Sequence, residues 1–229
     1  TKHLANGVPD PLALAAKQPD DPIRVWVAGC ATGEEVYSIA IVLKAAMAKI
    51  KAEASVTIFG TDIDSNAIVF ARAARYRKMD GVSPERLERW FVREREDYCP
   101  VATIREMCVF SQHSVIKDPP FSKLDLVSCR NVLIYMDNEF QHRVMQIFHY
   151  GLNPGGYLFL GPSESVSREI KLFTLIDKKN RILQRHDDVR ATLPMVQTAS
   201  SSRAVEPTQS PVIRAENRID QGARRVMDK

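Results

Sequence analysis

Residues 25–37 read VWVAGCATGEEVY. An apolar run of β type breaks at Gly29, turns through Gly33 and enters a helix with Glu34 and Glu35 in its first turn, the opening of a βαβ unit. Glycine at positions 29 and 33 tolerates positive φ. Without a Cβ it also lets the backbone lie against a ligand and the next helix pack close to the strand. The spacing is G-x-x-x-G followed by two acids. A phosphate cradle calls instead for G-x-x-x-x-G-K-S/T, or for G-x-G-x-x-G with the helix N-terminus left open to an anion. Two carboxylates repel a pyrophosphate and suit a ligand with an ammonium, a sulfonium or ribose hydroxyls. Taken alone, the stretch is equally a tight βα turn with glutamates placed favourably on the helix dipole.

The next strand signal, residues 56–60, ends in Thr61-Asp62-Ile63-Asp64. Asp62 stands at the carboxyl end of that strand, where open α/β sheets bind ligands and where an acid can take ribose hydroxyls. Asp64, followed by Ser65 and Asn66, fits the N-cap of a helix beginning near Ala67. A third strand, residues 124–128 (LDLVS), leads into Cys129-Arg130-Asn131-Val132-Leu133-Ile134-Tyr135. An amide and a phenol just past a buried strand sit over the same cleft as the first two motifs, with Leu133 and Ile134 read as core. The acids and the glycine turn together point to S-adenosylmethionine rather than ATP or NAD.

Four stretches then carry a family resemblance: AGCATGEEVYSIA (28–40), FGTDIDSNAIVFARAARYR (59–77), FSKLDLVSCRNVLIYM (121–136) and LNPGGYLFLGPSES (152–165). Together they resemble the chemotaxis-receptor methyltransferase (CheR) family, glutamate O-methyltransferases that use S-adenosylmethionine, in order from about residue 23 to 186. The wording is closest to catalytic modules of long fusions that also carry methylesterase and sensory domains. The resemblance implies a cofactor site of Gly29, Cys30, Ala31, Thr32, Gly33, Glu35, Asp62, Ser114, Val115, Arg130, Asn131 and Val132, with Tyr135 as the catalytic residue beside the transferred methyl. Within it, 29–33 line the methionine end, Glu35 and Asp62 bind amino or ribose groups, Ser114 and Val115 border the adenine, and Asn131 meets the methionine portion. S-adenosylhomocysteine is the implied product. The implied partner is a methyl-accepting chemotaxis receptor or related signalling protein, methylated during chemosensory adaptation. Two departures stand out: Ser114 occupies a usual Asn, and residues 1–22 hold no Arg where the family has T-x-F-F-R, nor its helical N-terminal domain. A catalytically weak or inactive S-adenosylmethionine-binding signalling module is therefore the rival reading.

Composition fits a cytoplasmic enzyme module: 45% of the 229 residues are hydrophobic and 26% charged, enough for one core plus a tail. No apolar run has the length of a membrane span and no signal peptide is visible. Cys30, Cys99, Cys108 and Cys129 show no C-x-x-C pairing and read as reduced, mostly buried thiols. The five histidines form no metal-ligand spacing. The chain divides into a lead-in at 1–22 with a short helix near 12–17, a globular domain at 23–188 and a disordered tail or linker at 189–229. Most of the formal charge of +4 lies in the tail. The near-neutral remainder lacks the basic footprint of a nucleic-acid binder. Asp118-Pro119-Pro120-Phe121 matches the D-P-P-F/Y signature of amino-methyltransferases but precedes the strand that it should follow, and reads as a turn.

The expected fold class is α/β, a Rossmann-like class I S-adenosylmethionine-dependent methyltransferase with a mostly parallel sheet and an antiparallel last strand. Apolar residues recur at helical spacing over 36–50 and, after Asp137, up to Gly151. Asn153-Pro154-Gly155-Gly156 reads as a turn introducing a strand at 157–161, and 172–176 with 181–185 as a closing hairpin. Residues 91–111 are expected as a small inserted antiparallel β-subdomain, with strands near 101–106 and 107–111. Its charged turn at 93–97 has no glycine, so a plain surface hairpin is expected rather than the peptide-gripping loop of some family members.

Overall fold

The computed structural model describes residues 17, 21–164 and 171–188. The expected lead-in helix near 12–17, apart from Lys17, and the tail from 189 lie outside the described residues. Nine strands are described: β1 (Ile23–Ala28), β2 (Val56–Asp62), β3 (Phe91–Glu94), β4 (Asp97–Pro100), β5 (Cys108–Gln112), β6 (Leu124–Cys129), β7 (Leu152–Leu160), β8 (Phe173–Asp177) and β9 (Ile182–Arg185). Between them lie helices α1 (Glu34–Ile50), α2 (Ser65–Ala73), α3 (Pro84–Trp90), α4 (Ala102–Arg105) and α5 (Asn138–Gly151), with a 3-10 turn at Leu133–Tyr135.

Seven strands form one sheet in the order β5-β2-β1-β6-β7-β9-β8. Pairings from β5 through to β7 are parallel, while β9 runs antiparallel to both β7 and β8. This is the class I methyltransferase sheet: the order reverses at β1, and the crevice at a reversal point is where such sheets bind ligands.

The strand sequences explain the sheet. Strands covered on both faces read as continuous apolar runs, and in β1 alternate residues feed two cores. Ile23, Val25 and Val27 join a cluster with Ile39 and Leu43 of α1, Ile58, Ile104 and Phe110. Trp26 and Ala28 join the other, with Val127, Leu158 and Val144, Met145 and Phe148 of α5. Trp26 is fully buried, meets Phe148 edge-on at 5.4 Å and donates from Nε1 to Thr61 Oγ1 at 2.8 Å, so its polar edge is satisfied inside the core. The expected cap is in place, Asp64 accepting from Asn66 N–H at the start of α2, and Asp137 caps α5 likewise, accepting from Glu139 and Phe140 N–H.

Several expectations change, and Ile134, read as core with Leu133, is 46% exposed. Residues 102–105, expected in a strand, form the helical turn α4, because Ala, Thr and Arg suit a short turn and only Ile104 needs burial. The strand after it, β5, is the edge of the main sheet, paired in parallel with β2, so the separate antiparallel sheet is the β3–β4 hairpin alone. Arg95 takes a left-handed φ of 57° in the hairpin's turn, where the sequence offers no glycine. Arg75 meets Glu94 at 2.7 Å, and a bridge between Tyr76 and Tyr98 ties the hairpin back to the domain. Lastly, β7 begins at Leu152 instead of after the Asn-Pro-Gly-Gly turn; the register against β6 slips between Leu124 and Leu126, and 153–156 bulge out. Buried Asp125 anchors that bulge, accepting from Asn153 Nδ2 and Arg24 N–H, each at 2.9 Å, while Lys17 Nζ lies 2.9 Å from the same carboxylate. Among the described residues no helix is long and apolar enough to cross a membrane.

Candidate cofactor-binding site

The carboxyl ends of β1, β2, β5 and β6 meet at one edge of the sheet, and the predicted site residues follow those ends. Leaving β1, the chain turns left-handed three times in five residues, at Gly29 (φ 71°), Ala31 (φ 45°) and Gly33 (φ 89°). A Cβ on Gly29 would stand 2.3 Å from Val132 Cγ2, so the loop after β1 and the segment after β6 are in direct contact. A Cβ on Gly33 would lie 2.9 Å from Ala71 Cβ and 3.2 Å from Phe110, which makes Gly33 the position that seats α1 against α2 and β5.

The loop is bound through its backbone. Cys30 N–H donates to Thr61 O at 2.9 Å, Gly33 N–H to Cys30 O at 2.9 Å, and Tyr76 OH to Thr32 O at 2.8 Å. Thr32 Oγ1 donates to Glu34 at 2.6 Å. Asp62 has two tasks: Oδ2 accepts from Ala31 N–H at 2.9 Å and Oδ1 from Asp64 N–H at 3.0 Å. Each carboxylate oxygen keeps a further lone pair, so Asp62 can hold the loop and a ligand hydroxyl together.

The segment after β5 is fixed to the same strand end, with His113 N–H donating to Asp62 O at 2.9 Å. Ser114 N–H donates to Asp118 Oδ2 at 2.7 Å, and Ser114 Oγ accepts from Lys117 N–H at 3.3 Å, which leaves the hydroxyl proton to give. Asp118 thus closes the turn at 115–117, and the turn expected over Asp118-Pro119-Pro120 lies one step earlier in the chain. Phe121 stacks on Phe59 at 4.6 Å, and Val115 packs against the core cluster of Trp26.

Glu35, in the first turn of α1, accepts from Ser128 Oγ on Oε1 and from Arg130 Nη1 on Oε2 at 3.3 Å. The Arg130 guanidinium lies over the Phe159 ring at 4.8 Å. Arg130 therefore comes to the cleft already facing a carboxylate, and an anionic ligand would have to compete with Glu35 for it. Asn131 adopts φ 60°, and Val132 is half-buried against Gly29. Val132 and Leu133 N–H both donate to Glu164 Oε1 at 2.9 Å, while Gly161 N–H donates to Oε2 at 2.6 Å. Tyr135 ends the 3-10 turn 83% exposed, at the surface rather than within the hydrogen-bonded part of the cleft.

Two participants were not singled out from the sequence. Ser128 read only as a strand residue, although a hydroxyl at a strand's carboxyl end was the available signal. Glu164, 3% exposed, read only as part of the G-P-S-E-S wording; its signal was an acid three residues beyond a strand-end glycine, and Glu164 N–H indeed closes that turn on Gly161 O at 3.1 Å.

The donor set fits an adenosyl sulfonium better than a nucleotide phosphate. Carboxylates at Asp62 and Glu35 suit hydroxyls and an ammonium, and Ala31 N–H, which an anion would want, is already taken by Asp62. Among the described residues no group of three or more His, Cys, Asp or Glu is placed to hold a metal ion.

Cys30 reports on this loop. Burial, and then the Asp62 carboxylate, push its thiol up to about 12, from an ordinary 9.0. A thiol harder to ionise in the folded than in the unfolded chain stabilises the fold below pH 9, and that contribution is lost as pH rises from about 9 towards about 12. The slope is at most about 1.4 kcal/mol per pH unit. Denaturant unfolding at pH 8 and pH 10.5 is expected to show a smaller alkaline loss of stability in Cys30→Ala than in the parent protein; equal losses would mean that the thiol is not buried beside Asp62.

The family described as CheR methyltransferase, SAM binding domain, matches residues 1–182. A Rhodobacter capsulatus protein described as an uncharacterized 104.1 kDa protein in the hypE 3' region is 38% identical over 184 residues, covering 80% of this chain and 19% of that protein. The putative methyltransferase Cher3 of Pseudomonas putida is 37% identical, with 63% of this chain and 55% of that protein covered. The chemotaxis protein methyltransferase of Salmonella typhimurium is 34% identical, with 72% and 59% covered. The chain thus spans less than two thirds of the length of each of these relatives.

Proposed function

The chain belongs to the CheR methyltransferase family, whose S-adenosylmethionine-binding domain it matches, and from that premise we propose that it methylates glutamate side-chain carboxylates of chemotaxis receptors during chemosensory adaptation, in the cytoplasm. The observation that carries the reading is Asp62, which grips the glycine loop at Ala31 and retains lone pairs for a ribose diol at the sheet's reversal point.

S-adenosylmethionine supplies an electrophilic methyl on a sulfonium. Asp62 would accept from its ribose hydroxyls, and Glu35, with Arg130 and Ser128 fixing its orientation, would face its ammonium. The loop from Gly29 through Cys30, Ala31 and Thr32 to Gly33 would line the methionine end together with Asn131 and Val132. Ser114 would offer its hydroxyl proton, and Val115 an apolar edge, to the adenine. A receptor glutamate is ionised at neutral pH, its ordinary pKa being about 4.3, so no side chain here has to remove a proton. The protein's work is alignment and exclusion of water. Opposite charges on carboxylate and sulfonium cancel as the ester forms, so replacing bulk water with fixed dipoles favours transfer. Tyr135, four residues after Asn131 and exposed, would meet the incoming carboxylate.

The test supplies methyl-labelled S-adenosylmethionine and the cytoplasmic fragment of a chemotaxis receptor. Label that enters the receptor and leaves as methanol in base supports carboxyl methylation. Base-stable label would assign another acceptor, and cofactor binding without any transfer would favour a signalling module.

A further inference from the structure

Glu164 is a buried acid that the proposed chemistry does not use. Its carboxylate collects three backbone N–H groups, from Val132 and Leu133 on one oxygen and from Gly161 on the other. Among the described residues no cation pairs with it, so these dipoles carry its charge. Bonds to an ionised acceptor are roughly twice as strong as neutral ones.

The geometry at the other end of these bonds gives the carboxylate a purpose. Asn131, immediately before the two donors, sits at φ 60°, a left-handed conformation that Asn tolerates better than most side-chain-bearing residues. Gly161 backs it closely: a Cβ there would come within 2.9 Å of Glu164 Oε2 and 3.0 Å of Asn131 N. Val132 in turn bears on Gly29 across the cleft. One carboxylate therefore joins the ends of β6 and β7 and presses the 131–132 segment onto the glycine loop.

We infer that Glu164 is a positioning residue for the cofactor, a buried anionic clamp that holds Asn131 and Val132 in ligand-ready shape. The inference rests on the reading that these two residues border S-adenosylmethionine. Glu164→Gln keeps the volume but turns an amide NH₂ towards at least one of the three donors. Gly161→Ala strains the same clamp from the opposite side without altering the carboxylate.

Two readouts decide the matter: amide hydrogen exchange at 132, 133 and 161 in the ligand-free protein, and calorimetric affinity for S-adenosylhomocysteine well below each variant's unfolding temperature. Both variants are expected to exchange these amides faster and to bind roughly tenfold or more weakly than the parent, the loss expected when a buried bonding group is left unmet. Faster exchange with unchanged affinity would make the clamp purely structural and overturn the inference, as would unchanged exchange. A parent protein that fails to bind would instead overturn the reading of 131–132 as a cofactor border, and the inference with it.

Discussion

Asp62→Ala is expected to weaken S-adenosylhomocysteine binding by roughly a hundredfold to a thousandfold, the largest effect of any single side chain in the site. Two kinds of interaction go at once. The ligand loses its charge-assisted bonds to the carboxylate, each worth about 1.5–3 kcal/mol. The glycine loop loses the Ala31 tether, and Asp64 N–H its local acceptor. Asp62→Asn separates the two, because its amide oxygen can serve only one side: an intermediate loss is expected. Calorimetry checks both. If Asp62→Ala bound as well as the parent, the cofactor would not sit at the end of β2, and the acid there would only brace the loop.

Gly29→Ala is expected to lower the unfolding midpoint by roughly 4–20 °C, and to do so through two separable causes. Alanine at φ 71° costs about 1–2 kcal/mol against glycine. The new methyl, 2.3 Å from Val132 Cγ2, forces the two loops apart at about 1–3 kcal/mol more. These sums convert to the stated shift at about 2–4 °C per kcal/mol for a domain of this size. Adding Val132→Ala should recover the steric part and leave the dihedral part, so the double variant is expected to be more stable than the two single effects predict together. Strict additivity would mean that the loops after β1 and β6 do not touch.

Much of the architecture could be read from the chain because it rests on local rules. The apolar runs at 23–28 and 124–129 follow from a sheet buried on both faces, and the cap at Asp64 follows from a side chain competing for free helix N–H groups. Expectations changed where partners distant in sequence decide the outcome. Residues 102–105 turn helical because Ile104 needs only one buried contact surface, and 108–112 pair with β2 across some fifty residues. The β7 bulge depends on Asp125, which no local pattern around Asn153 reveals.

The site divides along the same line. Gly29, Gly33 and Asp62 show themselves by residue type at strand ends. Glu35 does so only in part: as a first-turn acid it suits an ammonium but equally the helix dipole, and its link to Ser128 and Arg130 spans more than ninety residues. The Glu164 clamp is similar, since two of its three donors lie some thirty residues earlier and all are backbone groups that carry no side-chain signature.

Calorimetric titration of the chain with S-adenosylhomocysteine is the most direct test of the account. Micromolar binding at a one-to-one ratio, abolished or strongly reduced by Asp62→Ala and unaffected by an equal excess of ATP, is the predicted result. Absence of binding at millimolar ligand, or affinity indifferent to Asp62, would contradict the assignment of the cleft at the ends of β1, β2 and β6 as the cofactor site.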